Sequence, residues 1–189
     1  MEVVDTTPGD RVVTYVIDSD DRLIDVGEAW SQFAADNEGS DRLQPDSVVG
    51  ESLWHFIRGE SLTELYKLVL RRVRESGQPL EFPYRCDSPG FRRRMRMRVE
   101  PIGNGRVGFR SETLSVTPRE GALAAHACDS GATALKRCSI CNLFRVNSGE
   151  WTDALAAVTD GAVLDRESRV QIVWTVCERC RADLRSMLD

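Results

Sequence analysis

The chain has no run of about 18 apolar residues, so no transmembrane helix is expected. Its first residues, Met1-Glu2-Val3-Val4-Asp5, are acidic and lack a basic-then-apolar pattern, which argues against a secretory signal. A cytoplasmic location is the expectation. Histidine is scarce: only His55 and His126 occur, and neither sits in a catalytic motif. There is no glycine-rich phosphate loop, no nucleophile–base motif, and no histidine-kinase or cyclase sequence. No catalytic residues are expected, and any output has to pass through a partner. No internal repeat and no low-complexity segment is present.

What remains is the composition of a globular protein, 41% apolar and 29% charged in 189 residues. That length suits one ordinary domain plus a small appendage. The net charge of −5 is unevenly spread. Residues 1–50 carry twelve acids against three bases, residues 51–110 thirteen bases against seven acids, and residues 138–189 six bases against eight acids. A zinc module that grips nucleic acid needs a basic surface to neutralise phosphates. This tail lacks one, so nucleic acid is not an expected partner.

The apolar pattern predicts an α+β fold. Val12–Ile17 and Arg22–Val26 read as strands joined by the turn Asp18-Ser19-Asp20-Asp21, whose side chains can bond nearby amides. Glu28–Ala34 places Trp30, Phe33 and Ala34 on one helical face. Residues 35–47 read as an acidic loop and Gly50–Ile57 as a short helix. A longer helix follows, with Ser61 as N-cap, Glu64 in the capping-box position and Gly77 at its end. Leu62, Leu65, Tyr66, Val69, Leu70 and Val73 form its apolar stripe. Three strands come next: Leu80–Cys86, with Pro83 arguing for an edge; Phe91–Val99; and Val107–Leu114 after the turn Gly103-Asn104-Gly105. In the middle one Met95, Met97 and Val99 alternate with Arg94, Arg96 and Arg98. Residues 117–136 read as a linker with a short helix near Ala122–Ala127.

This order resembles the PAS domain. Tyr15–Ile24 is similar to its opening hairpin, Ala29–Ala34 to its first helix, and Val49-Gly50-Glu51-Ser52-Leu53 to its "V-G-x-S-L" entry to the middle helix. The resemblance covers residues 11–116. It implies a five-stranded antiparallel sheet with helices on one face. It also implies ligand sensing or protein docking in signal transduction, often as a homodimer. The Asn-Cys-Arg-Phe-type motif of photosensory flavin-binding members is missing, and Cys86 stands at a strand end instead. His55 is the single candidate for a haem ligand in this module, and its ordinary reading is a helix surface residue. Haem and flavin are therefore not expected. Arg92, Arg93, Arg94, Arg96 and Arg98 make a positive stripe. The reading favoured is a solvated face paired to acids on neighbouring strands; the alternative is a site for an anion or an acidic partner.

Four of the six cysteines form two Cys-x-x-Cys pairs, Cys138/Cys141 and Cys177/Cys180, 35 residues apart. Two such pairs complete a tetrahedral four-sulfur shell, and a shell with no open position is structural rather than catalytic. Zinc is the metal expected. The gap holds a helical pattern at Glu150–Val158 and a strand at Val170–Val176, and Cys180 opens a terminal helix. A knuckle, a strand, then a second pair at a helix start is a treble-clef arrangement. The tail also resembles a segment found after sensory or response-regulator domains in bacterial signalling proteins, through Ile140-Cys141-Asn142, Gly149-Glu150-Trp151 and Val176–Cys180. It departs from that pattern at Asn142-Leu143-Phe144, where a basic residue is common, and in the insert Asp160–Arg169. His126 and Cys128 are not expected to bind.

The sequence thus divides into a PAS-like module (1–116), a linker (117–136) and a zinc-binding module (137–189). It reads as a non-enzymatic signalling protein with a protein partner and a possible small-molecule ligand in the first module. The alternatives are a zinc-containing DNA-binding regulator and a thiol-based redox sensor. Loss of Cys177 is expected to unfold residues 138–189 and spare the first module.

Overall fold

The structure, a computed structural model, describes residues 12–36, 43–88, 90–118, 125–127, 134–159 and 170–188. Strands β1 (Val12–Ile17) and β2 (Leu23–Val26) pair antiparallel around the aspartate turn. There Asp18 Oδ1 accepts from the amides of Asp20 and Arg22, each at 2.9 Å. Helix α1 (Trp30–Asp36), helix α2 (Pro45–Val48), a 3-10 turn (Leu53–His55) and the long helix α3 (Glu60–Ser76) follow. Strands β3 (Leu80–Arg85), β4 (Phe91–Gly103) and β5 (Arg106–Pro118) close the sheet. Its order is β2-β1-β5-β4-β3, and every pairing is antiparallel. This is the PAS-like α+β arrangement that the order of elements implies.

Alternation decides which side is core. Met95, Met97 and Val99 of β4 are buried, as are Val107 and Phe109 of β5. Helix α3 turns Leu65, Val69, Leu70 and Val73 onto them. Gly77 ends α3 in the left-handed conformation at φ 67°, where glycine carries no Cβ penalty. Arg74 ties the end of α3 to both hairpins. It reaches Asp21 at 2.8 Å, the Asp18 carbonyl at 2.8 Å and the Gly105 carbonyl at 2.9 Å. Phe109 stacks on Tyr15 at 4.4 Å and on Tyr66 at 6.4 Å between ring centres.

A second sheet carries the tail, in the order β6-β10-β7-β8-β9. Its strands are β6 (Ala125–Ala127), β7 (Leu135–Cys138), β8 (Phe144–Arg145), β9 (Trp151–Thr152) and β10 (Val170–Thr175). β10 runs parallel to β6 and β7, while β8 and β9 add antiparallel. Helices α4 (Ala154–Thr159) and α5 (Glu178–Ser186) complete it. The core falls into two clusters, one that bridges the modules at the cysteines and one of Phe144, Ala154, Ala157, Val170 and Ile172 within the tail. The bridging cluster holds Val69, Val73, Phe82 and Phe109 together with Cys138, Ile140, Val176, Cys177, Cys180 and Leu184.

Several local expectations are corrected. Residues 125–127 form a strand rather than part of a helix, because β10 offers them a parallel edge; residues 122–124 lie outside the described set. Trp151 and Thr152 are strand, and the helix starts only at Ala154. Pro45–Val48 is helical, with proline at the start of the helix, where its missing N–H costs nothing. Helix α3 is capped by Gly59 and not by Ser61. The Ser61 hydroxyl instead faces Arg181 of α5 at 3.4 Å. Gly59 sits at φ 87°, and a Cβ there would lie 2.8 Å from the Trp174 carbonyl oxygen of β10. Gly59→Ala is therefore expected to destabilise the chain by about 1–3 kcal/mol through strain and clash. Urea denaturation reads this as a lower midpoint, and an unchanged midpoint would place β10 away from α3.

Candidate metal centre

Cys138 ends β7, and the chain turns at once through Ser139-Ile140-Cys141-Asn142. The knuckle is closed by hydrogen bonds from the Asn142 amide to the Cys138 carbonyl (2.9 Å) and from the Cys138 amide to the Leu143 carbonyl (2.8 Å). β10 runs beside β7, so Val176 and Cys177 arrive next to the knuckle. Cys177 is the N-cap of α5, and Cys180 lies in its first turn. The four Sγ atoms fall within 4.8 Å of one another, with Cys138, Cys177 and Cys180 buried and Cys141 partly so. Cys141 Sγ and Cys177 Sγ are 3.9 Å apart. A tetrahedral ion with bonds of about 2.3 Å sets its sulfurs about 3.8 Å apart, so the donor set fits one. Four cysteines close together could thus hold a metal ion.

The electrostatics point the same way. The Cys138 thiol is held far below the ordinary thiol range, first by hydrogen bonds from the Cys141 and Cys180 thiols and then by the Cys177 amide. Its hydrogen bond to Cys138 pushes Cys141 up to about 12. Cys180 is raised well above the usual range by its bonds to Cys138 and Cys141 and by burial. Without a cation the cluster favours the thiolate at Cys138 and disfavours it at Cys141 and Cys180. A divalent cation reverses that balance by deprotonating its thiol ligands outright. Backbone amides already point at sulfur, Cys177 N to Cys138 Sγ and Cys180 N to Cys177 Sγ, both at 3.4 Å. The start of α5 adds positive partial charge beside them.

The tail motifs meet around this centre. The Trp151 indole donates to Glu178 Oε2 at 3.0 Å, so Gly149-Glu150-Trp151 is joined to the second cysteine pair. The Glu178 carboxyl is held below its usual range, by its own backbone amide and by that indole. The departure at Asn142 has a reason. Asn142 adopts φ 59°, which asparagine tolerates better than a long basic side chain. Its Nδ2 donates to the Arg85 carbonyl at 2.9 Å. Sequence reasoning missed Arg85, Asn142 and Asp153. The available signal was Pro83, which marks β3 as an edge strand that something has to cover.

The other candidates lie elsewhere. His55 closes the 3-10 turn with a side chain 66% exposed, paired to Glu51 Oε2 at 2.9 Å. His126 stands on β6 opposite Gln171, and Cys128 lies outside the described residues. Cys86 is a free thiol whose pKa is raised by burial. The arginine stripe pairs across strands as its register dictates. Arg96 meets Glu112 of β5 at 2.6 Å, and Arg98 meets Glu81 of β3 at 2.7 Å and Glu100 at 2.9 Å. Glu81, Arg96, Arg98, Arg110 and Glu112 line a shallow, open depression of about 240 Å³ on the outer face. Inside, Tyr84 bonds Ser111, and burial raises Tyr15, Tyr84 and Tyr66, the last to about 12.

No protein-family model matches the chain, and no curated protein matches it. Solved structures similar to it include a domain of an HTR-like protein from Haloarcula marismortui ATCC 43049. That pair shares 15% identity over 55% of this chain and 98% of that one, with a TM-score of 0.39. Another is the PAS domain of BvgS from Bordetella pertussis, at 20% identity over 61% of this chain and 82% of that one, with a TM-score of 0.39.

Cys177 and Cys180 share a core cluster with Val69 and Val73, so disruption of the cysteine site is expected to reach the first module as well as the tail. Cys177→Ser is expected to abolish stoichiometric metal binding and to lower a single transition for the whole chain. Metal analysis and thermal denaturation followed in both modules check this. A tail-only transition would contradict the shared core.

Proposed function

We propose that this chain is a non-enzymatic signal-transduction protein, in which a PAS-like module senses a small molecule or docks a protein and a four-cysteine zinc site is structural. The observation that carries the reading is the joining of a PAS-like sheet to a closed shell of four thiols through one core. Cys138, Cys141, Cys177 and Cys180 are the ligands. Zinc suits four thiolates, is redox-inert and would leave no position for substrate. When bound it supplies charge neutralisation and a covalent-strength crosslink between the knuckle and α5. The surrounding residues orient the sulfurs: two backbone amides donate to them, and Trp151 holds Glu178 in place.

The sensing half rests on the interior between the sheet and α3, lined by Tyr15, Tyr66, Tyr84, Phe82 and Phe109. Those phenols are neutral near pH 7, and burial raises their pKa further, so they offer hydrogen bonds without charge. The output is a protein partner, in keeping with a sequence that has no catalytic motif. No helix among the described residues is long and apolar enough to cross a membrane.

Metal analysis and an absorption spectrum of the purified protein test this reading. One zinc per chain and no visible band are expected. Iron with sulfide-to-iron absorption, or a chain that binds no metal under reducing conditions, would overturn the zinc assignment. Retardation of DNA with a steep salt dependence would favour the DNA-binding regulator instead. Reversible zinc release by mild peroxide would favour thiol-based redox sensing.

A further inference from the structure

We infer that the metal knuckle is a lock on the free edge of the first sheet, so that metal occupancy is transmitted into the PAS-like module through β3 and α3. This rests on the metal reading above. β3 is the last strand of its sheet and, among the described residues, has β4 as its one strand partner. In an antiparallel ladder a residue turns its N–H and C=O to the same side, and its neighbours turn theirs to the other. Arg85 faces outward, and by alternation so do Pro83 and Glu81. Pro83 has no N–H to offer there. At Arg85 the edge is occupied by the knuckle. The Arg85 amide donates to the Ile140 carbonyl at 2.7 Å, and the Arg85 carbonyl accepts from Asn142 Nδ2 at 2.9 Å.

Both knuckle groups are tied to the ligands. Ile140 lies between Cys138 and Cys141, and Asn142 follows Cys141 in a left-handed conformation closed back onto the Cys138 carbonyl. Opening the sulfur cluster therefore moves the two atoms that hold β3. The Arg85 side chain adds a polar link. It bonds Asp87 and reaches Asp153 at 3.2 Å, while Arg92 of β4 reaches Asp153 at 2.9 Å. The Asp153 carbonyl accepts from Ala157 of α4 at 3.0 Å.

The second cysteine pair has its own route. α5 starts on Cys177, and the residue two beyond its end, Leu188, accepts from Arg72 of α3 at 2.9 Å through its carbonyl. Arg181 meets Ser61 at the other end of α3. β3 supplies Phe82 and Tyr84 to the interior of the first module, and α3 supplies Tyr66. The two cysteine pairs thus grip the two elements that enclose that interior. By linkage, a ligand that shifts β3 or α3 changes metal affinity by the same factor that metal changes its own.

Hydrogen exchange read by mass spectrometry on the full chain tests this, with zinc content measured on each sample. The first comparison is between two zinc-loaded proteins, the wild type and Asn142→Gly. Glycine keeps the left-handed backbone and removes only the side-chain bond. Exchange across residues 80–86 should rise about tenfold in the variant, the scale of one lost hydrogen bond to a part-buried carbonyl. Zinc should stay at one per chain. The second comparison is the wild type with and without zinc, stripped by chelator under reducing conditions. Residues 60–76 and 80–86 should both lose protection along with 134–159 and 170–188. A loaded variant with unchanged exchange over 80–86 would overturn the inference, as would a metal response confined to the tail. In both cases one zinc per chain would leave the metal assignment standing. A wild type that binds no zinc would remove the metal reading and the inference together.

Discussion

Four thiols cannot be packed within a few ångström of one another and all ionise unless a cation shares the space. That constraint shapes the tail and, through it, much of the chain. Cys138 is stabilised as the thiolate by its neighbours, and Cys141 and Cys180 are held protonated by it. A tetrahedral ion removes the conflict, and the sulfur spacing suits one. Short strands such as β8 and β9, two residues each, have little means of holding a fold on their own. A bound metal contributes folding free energy directly in small modules of this kind. Here the tail also draws stability from the first module, since its cysteines belong to the same core as α3.

That sharing changes how the protein is to be understood. The two cysteine pairs stand out in the sequence as a separate structural module with a linker before it. In three dimensions they form one wall of a common interior. Arg85 is the residue where the parts meet most closely. Its backbone holds the knuckle, and its side chain reaches the start of α4. The alternating sheet face is satisfied locally by contrast. Arg96 and Arg98 each find a carboxylate on the next strand, so that end of the positive stripe is neutralised in place.

Much of the fold was legible because its signals are local. Alternation in Met95–Val99, the apolar stripe of α3 and the turn at Gly103-Asn104-Gly105 each follow from backbone periodicity or glycine chemistry. The gathering of the four cysteines was legible from spacing. What escaped the sequence depends on partners far along the chain. Ala125–Ala127 become a strand only because β10 lies beside them. Ser61 gives up a capping role because Gly59 turns the chain beneath Trp174 and Arg181 takes its hydroxyl. Asn142 looked like a departure from a motif, and its function appears only once Arg85 stands opposite. Long-range contact, rather than local propensity, decided each of these positions.

The central claim is that both modules unfold as one unit around a four-thiolate metal. Differential scanning calorimetry of the zinc-loaded full chain, at several free-zinc concentrations, tests it most directly. The account predicts one transition, with equal calorimetric and van't Hoff enthalpies and a midpoint that rises with free zinc. Two transitions, of which only one responds to zinc, would contradict it.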